Sequence, residues 1–92
     1  MSVVNNKYRS IHYVTAAETY PGRLVVSSVI WSGMTTDGHT MTLKDTAGNI
    51  IVGPLESSSE LEPITVEFPG GALFNGIEVD VLGSGVVDVI LQ

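Results

Sequence analysis

The chain has no cysteine, so a disulfide framework, a thiolate metal centre and a cysteine nucleophile are all excluded. Its two histidines, His12 and His39, stand far apart with no HxH or HExxH spacing, which leaves no His-rich metal motif. Bases are scarce: four Lys and Arg stand against ten Asp and Glu, for a net charge of −6. Nucleic-acid binding needs a basic footprint, and the chain does not have one. No apolar run approaches the roughly 18 residues that cross a bilayer, and the polar opening through Ser10 does not read as a signal peptide. The expectation is a product made in a cytoplasm, with no membrane partner. Nowhere do apolar residues hold helical spacing over about 11 residues.

What remains is β-structure. At 92 residues, with 43% hydrophobic and 15% charged residues, the chain suits one globular domain. A domain of this size buries only about two-thirds of its unfolded surface, so assembly is a natural source of added stability. Charge is uneven. Residues 1–46 carry Lys7, Arg9, Arg23 and Lys44 against Glu18, Asp37 and Asp45, whereas residues 47–92 carry seven acids and no base. A solvated acidic face explains this, and so does a basic N-terminal segment lying on the acidic half of another copy, a contact that salt would weaken.

The pattern is organised around Leu24–Pro54. Arg23–Trp31 is β-branched and aromatic without Gly or Pro, and reads as a strand. Strict alternation puts Val25, Ser27, Val29 and Trp31 on one face and Leu24, Val26, Ser28 and Ile30 on the other. Both faces are largely apolar, which predicts cover on both sides, either as a central strand of a sandwich or with one side under a neighbouring subunit. Asp37-Gly38 supplies turn chemistry. Thr40–Lys44 alternates with Met41 and Leu43 inward. Asp45-Thr46-Ala47-Gly48-Asn49 predicts a type I turn closed by a glycine bulge. A calcium loop would want several carboxylates here, and there is one. Asn49–Val52 returns as the partner strand, ended by Gly53-Pro54.

Residues 1–9 read as an extended arm and residues 10–92 as the domain. Ser10–Ala17 is a strand, and Tyr20-Pro21-Gly22 a turn. Glu56–Glu60 is a polar loop. Ile64–Phe68 is a strand stopped by Pro69-Gly70-Gly71, Asn75-Gly76 a turn, and Ile77–Val81 another strand. Gly83-Ser84-Gly85 makes a hairpin loop before the last strand, Val86–Leu91. About seven short strands with Gly- and Pro-rich turns predict an all-β fold, a single antiparallel β-sandwich or jelly-roll-like domain. The expected core is Ile11, Tyr13, Val25, Val29, Trp31, Met41, Leu43, Ile50, Val52, Ile64, Val66, Phe68, Ile77, Val79, Val81, Val87, Val89 and Leu91.

Enzymatic signals are missing. No GxSxG elbow is present, and Gly83-Ser84-Gly85 is too short to cradle phosphate and precedes a strand. The expectation is a non-enzyme with no catalytic residue, metal or cofactor. A carbohydrate-binding module is the competing class, with Tyr8 and Tyr20 as the rings for sugars to stack on.

Ile30-Trp31-Ser32-Gly33 with the Thr-rich turn to Gly38-His39, Leu43-Lys44-Asp45 with Gly48-Asn49, Phe74-Asn75-Gly76-Ile77 and Gly83-Ser84-Gly85 together resemble small β-sandwich structural proteins of tailed bacteriophages. The likeness covers residues 23–91 and is greatest to capsid decoration (cement) proteins. The related pattern ends in an aromatic strand, where this chain has Val87-Asp88-Val89-Ile90-Leu91. The resemblance implies a virion protein that binds the major capsid protein on the outer capsid surface as a homotrimer. The residues expected to touch the coat are Lys7, Tyr8, Arg9 and Arg23. Those expected between subunits are Leu24, Val26, Ile30 and Trp31. The alternative role is a tail-fibre or baseplate accessory that binds host-surface carbohydrate.

Overall fold

A computed structural model of the chain describes residues 9–13 and 16–92. The elements are β1 (Arg9–Tyr13), β2 (Thr19–Ser32), β3 (Thr40–Lys44), β4 (Ile50–Glu56), β5 (Ile64–Leu82) and β6 (Val86–Leu91). No helix occurs among the described residues. The strands form one six-stranded antiparallel sheet in the order β1-β6-β2-β5-β3-β4, open at β1 and at β4. The expected N-terminal arm lies outside the described residues, apart from Arg9, which opens β1.

Two long strands set the shape. At about 3.3 Å per residue, the 19 residues of β5 would stretch roughly 60 Å if straight. The longest dimension of the molecule is 36 Å. β5 therefore bends back on itself, and β2, its partner from Thr19 to Trp31, bends with it. The first part of β5 pairs with β2 beside β6 and β1, and Glu78–Leu82 pairs with β3 beside β4. Residues from both wings contribute to one buried cluster.

Asn75-Gly76 and Pro21-Gly22, expected as turns between separate strands, instead lie inside the continuous strands β5 and β2. Gly76 holds φ +85°, and a Cβ there would meet Thr46 Cγ2 at 2.5 Å and the Tyr20 carbonyl at 3.1 Å. Only glycine fits that backbone without strain. Thr46 locks the β3–β4 turn onto the corner through its hydroxyl, which donates to the Asn75 carbonyl at 2.5 Å.

The β3–β4 hairpin forms as its sequence predicts. Asp45 N–H donates to the Asn49 carbonyl at 2.9 Å, and Gly48 N–H to the Asp45 carbonyl at 3.1 Å. Gly48 takes φ +92°, the positive value of a glycine bulge. Two details differ from expectation. β4 runs on through Gly53-Pro54 to Glu56, because at a sheet edge a proline need not donate to the ladder. Residues 33–39 do not form a tight hairpin, since β5 lies between β2 and β3 and the connection must cross it.

Alternation along β2 breaks at Ser27, which has no register partner on β5 or on β6. The extra residue flips the strand, so Leu24 and Val26 point inward before it and Val29 and Trp31 after it. Tyr13, Met41, Leu43, Val52, Ile77, Val79, Val87, Val89 and Leu91 complete the buried cluster as expected, and Met34 joins it from the β2–β3 connection. Ile11, Ile64, Val66 and Phe68 are partly buried against it. Val25, Ile50 and Val81, expected in the core, are exposed. The bulge turns Val25 outward, and Ile50 begins an edge strand.

Candidate functional site

Lys7 and Tyr8 lie outside the described residues, so the structure does not place them. Arg9 begins the edge strand, and Arg23 is exposed on β2 opposite Asn75. Of the residues expected between subunits, Leu24, Val26 and Trp31 are buried within the single chain. Their side chains are committed to the core because the Ser27 bulge brings both halves of β2 inward. Ile30 alone stays half-exposed, on the outer face opposite Thr65 and Asp88.

That outer face is where uncovered apolar surface collects. Val25 and Leu73 are register partners across β2 and β5, and they are 40% and 54% exposed. Directly opposed side chains sit close enough to act as one patch. Ile90, half-exposed and alternating with the buried Val89 and Leu91, pairs with Ser28 along the same β2 strand. At the β1 edge, His12 Nδ1 and Asp88 Oδ1 are 2.5 Å apart across the strand pair. Lys44 pairs with Asp80 at 3.3 Å, so one of the few cations serves inside the chain.

A second polar group lies at the opposite end of β2. Ser84 Oγ accepts from the Thr35 N–H at 3.1 Å and lies 2.8 Å from His39 Nδ1. Ser57 Oγ donates to the Thr36 carbonyl at 2.6 Å and accepts from the His39 N–H at 3.0 Å. The indole N–H of Trp31 donates to the Ser84 carbonyl at 2.8 Å. A Ser–His pair invites a nucleophilic reading, which needs a third group to orient the ring. Among the described residues no carboxylate bonds His39; the Ser57 hydroxyl is spent on loop backbone, and the Ser84 hydroxyl is shared between the Thr35 N–H and the His39 ring. The group ties the β2–β3 connection to the β5–β6 turn and to the end of β4.

Two ionisable groups are displaced from their ordinary behaviour. Asp45 is held below the usual carboxylate range, first by the Asn49 side-chain amide and then by the Asn49 N–H, with Ala47 and Gly48 N–H groups adding to it. The Tyr13 hydroxyl is pushed up to about 12, first by burial and then by the charge of Glu18 and by Tyr20. That hydroxyl is buried and has no hydrogen-bond partner among the described residues. Both displacements arise from folding geometry, the first in a turn and the second at the core's end.

A depression with a volume of about 270 Å³ marks the outer surface. Ser27, Ser28, Glu67, Phe68, Pro69 and Gly70 line it. It sits where both long strands are irregular: Ser27 is the unpaired residue of β2, and residues 68–71 of β5 have no partner on β2. Sequence reading missed it because a bulge has no local signature until its partner strand is known.

Among the described residues, no group of three or more His, Asp or Glu is placed to hold a metal ion, and no helix is long and apolar enough to cross a membrane. No protein-family model matches the chain, and no curated protein matches it.

Proposed function

We propose that the chain is a structural subunit that works by assembly, and more particularly a capsid decoration protein bound as a homotrimer to the major capsid protein of a tailed phage. In this reading the bent sheet serves as a sandwich, its two wings acting as layers. The observation that carries the assembly part is the exposed pair Val25–Leu73 on the two longest strands, beside half-exposed Ile30 and Ile90. Covering the exposed halves of two such side chains contributes about 1 kcal/mol each, repeated in every copy. A partner that binds only the folded form also stabilises it by mass action. Support for the capsid setting comes from the resemblance over residues 23–91.

The occupant of the patch is a second copy of this chain, and coat contact falls to the N-terminal residues and Arg23. Co-sedimentation with shells of the cognate coat protein tests the capsid role. Saturable binding that is lost on deleting residues 2–8 supports it. Self-association without any binding to shells would overturn the capsid role and leave the assembly reading standing.

A further inference from the structure

We infer that the depression between Ser27-Ser28 and Glu67–Gly70, on the same outer face as the Val25–Leu73 patch, binds a neutral, hydroxyl-rich ring of the hexopyranose class when no second copy covers it. Ser28 and Glu67 are register partners on β2 and β5, so a hydroxyl and a carboxylate stand side by side on the outer face. Neither makes a hydrogen bond within the described residues, and Ser27 Oγ has none either. Three polar groups thus converge on one concave spot with their bonding capacity unspent.

The chemistry of the lining selects the ligand. A carboxylate accepts from two neighbouring sugar hydroxyls at once, and charge-assisted bonds of this kind are the strong ones. The serine hydroxyls both donate and accept, which suits the mixed character of a sugar hydroxyl. Pro69 and Phe68 offer apolar surface for the C–H face of the ring, and Phe68 is fixed by an edge-on contact with Phe74 at 5.6 Å between ring centres. No Lys or Arg lines the depression, and Glu67 repels anions, so sialylated or sulfated sugars are disfavoured. The volume of about 270 Å³ lies just under the ~300 Å³ lower end of drug-sized sites, which limits the fit to a single ring. Paired irregularities on β2 and β5 fit this use, because bulges are over-represented beside binding sites.

The test is a titration of the ¹⁵N-labelled full chain with neutral hexoses (glucose, galactose, mannose and N-acetylglucosamine), read by amide chemical shifts. At least one sugar is expected to give saturable shifts confined to residues 27–28 and 67–71. The variant Glu67→Gln, a surface change that leaves the fold intact, is expected to weaken that sugar about tenfold. Ser28→Ala is expected to weaken it severalfold. An alkylammonium salt and sialic acid run as separate arms. Absence of saturable shifts with every neutral sugar overturns the proposal. So does binding that Glu67→Gln leaves unchanged, or a response to the ammonium ion alone.

Discussion

Trp31 meets both ends of β5: its backbone is in register with Ile64 at the start of the strand, and its indole N–H donates to the carbonyl of Ser84 just past the end. A single side chain therefore records that a 19-residue strand has turned back within a 36 Å molecule. Replacing it tests whether that closure holds the wings together. Trp31→Phe removes the N–H and part of the ring, and is expected to cost about 2–3 kcal/mol in urea unfolding with the slope unchanged. A change within about 0.5 kcal/mol would show that the closure is held elsewhere.

The corner itself predicts a second outcome. Gly76→Ala puts a Cβ against Thr46 and the Tyr20 carbonyl at positive φ. Strain of this sort costs about 1–3 kcal/mol, and the thermal midpoint should fall accordingly. An unshifted midpoint would mean that the bend at Asn75-Gly76 is softer than its geometry implies.

Asp45 links the turn to pH. Its folded pKa lies below the ordinary value of 3.8, so its contribution to stability is present above that value and is lost as pH falls through the lower folded value. Asp45→Ala should be less stable than the parent at neutral pH, and the gap should close as the pH drops below about 4. Chemical unfolding of both proteins over that range checks it. A gap that stays constant would remove the carboxylate from the account of the turn.

Tyr13 gives the opposite dependence. Its hydroxyl titrates near 12 when folded and near 10 when exposed, so the folded form holds the proton more tightly. Stability should fall as pH rises from about 10 to about 12, and Tyr13→Phe should blunt that fall. At neutral pH the same variant should be neutral or more stable by up to about 1 kcal/mol, since it deletes a buried hydroxyl with no partner among the described residues. A loss of more than about 1 kcal/mol at neutral pH would reveal a hydrogen bond at that oxygen.

The sequence was most legible where chemistry is local. The Asp45–Asn49 turn is written in adjacent residues, and the structure realises it bond for bond. Asn75-Gly76 was visible as a reversal of direction, but a corner within a strand and a hairpin between strands call for the same positive-φ glycine. The partner strand decides between them. Ser27 shows the same limit more sharply. Nothing in Val25-Val26-Ser27-Ser28 marks the third residue as the extra one, and missing it turns Leu24, Val26 and Val25 to the wrong sides. Of the residues expected between subunits, Leu24, Val26 and Trp31 are buried within the single chain, whereas the exposed Val25–Leu73 pair depends on a register that joins residues 48 positions apart. The depression beside Ser27 and Ser28 was illegible for the same reason.

The most direct test is sedimentation velocity over a range of concentrations, run on the parent chain and on the double variant Val25→Ser/Leu73→Ser. The account predicts that the parent populates an oligomer. The double variant should remain a folded monomer, with self-association weakened at least tenfold. A parent that stays monomeric at every concentration, or a double variant that assembles as well as the parent, would contradict it.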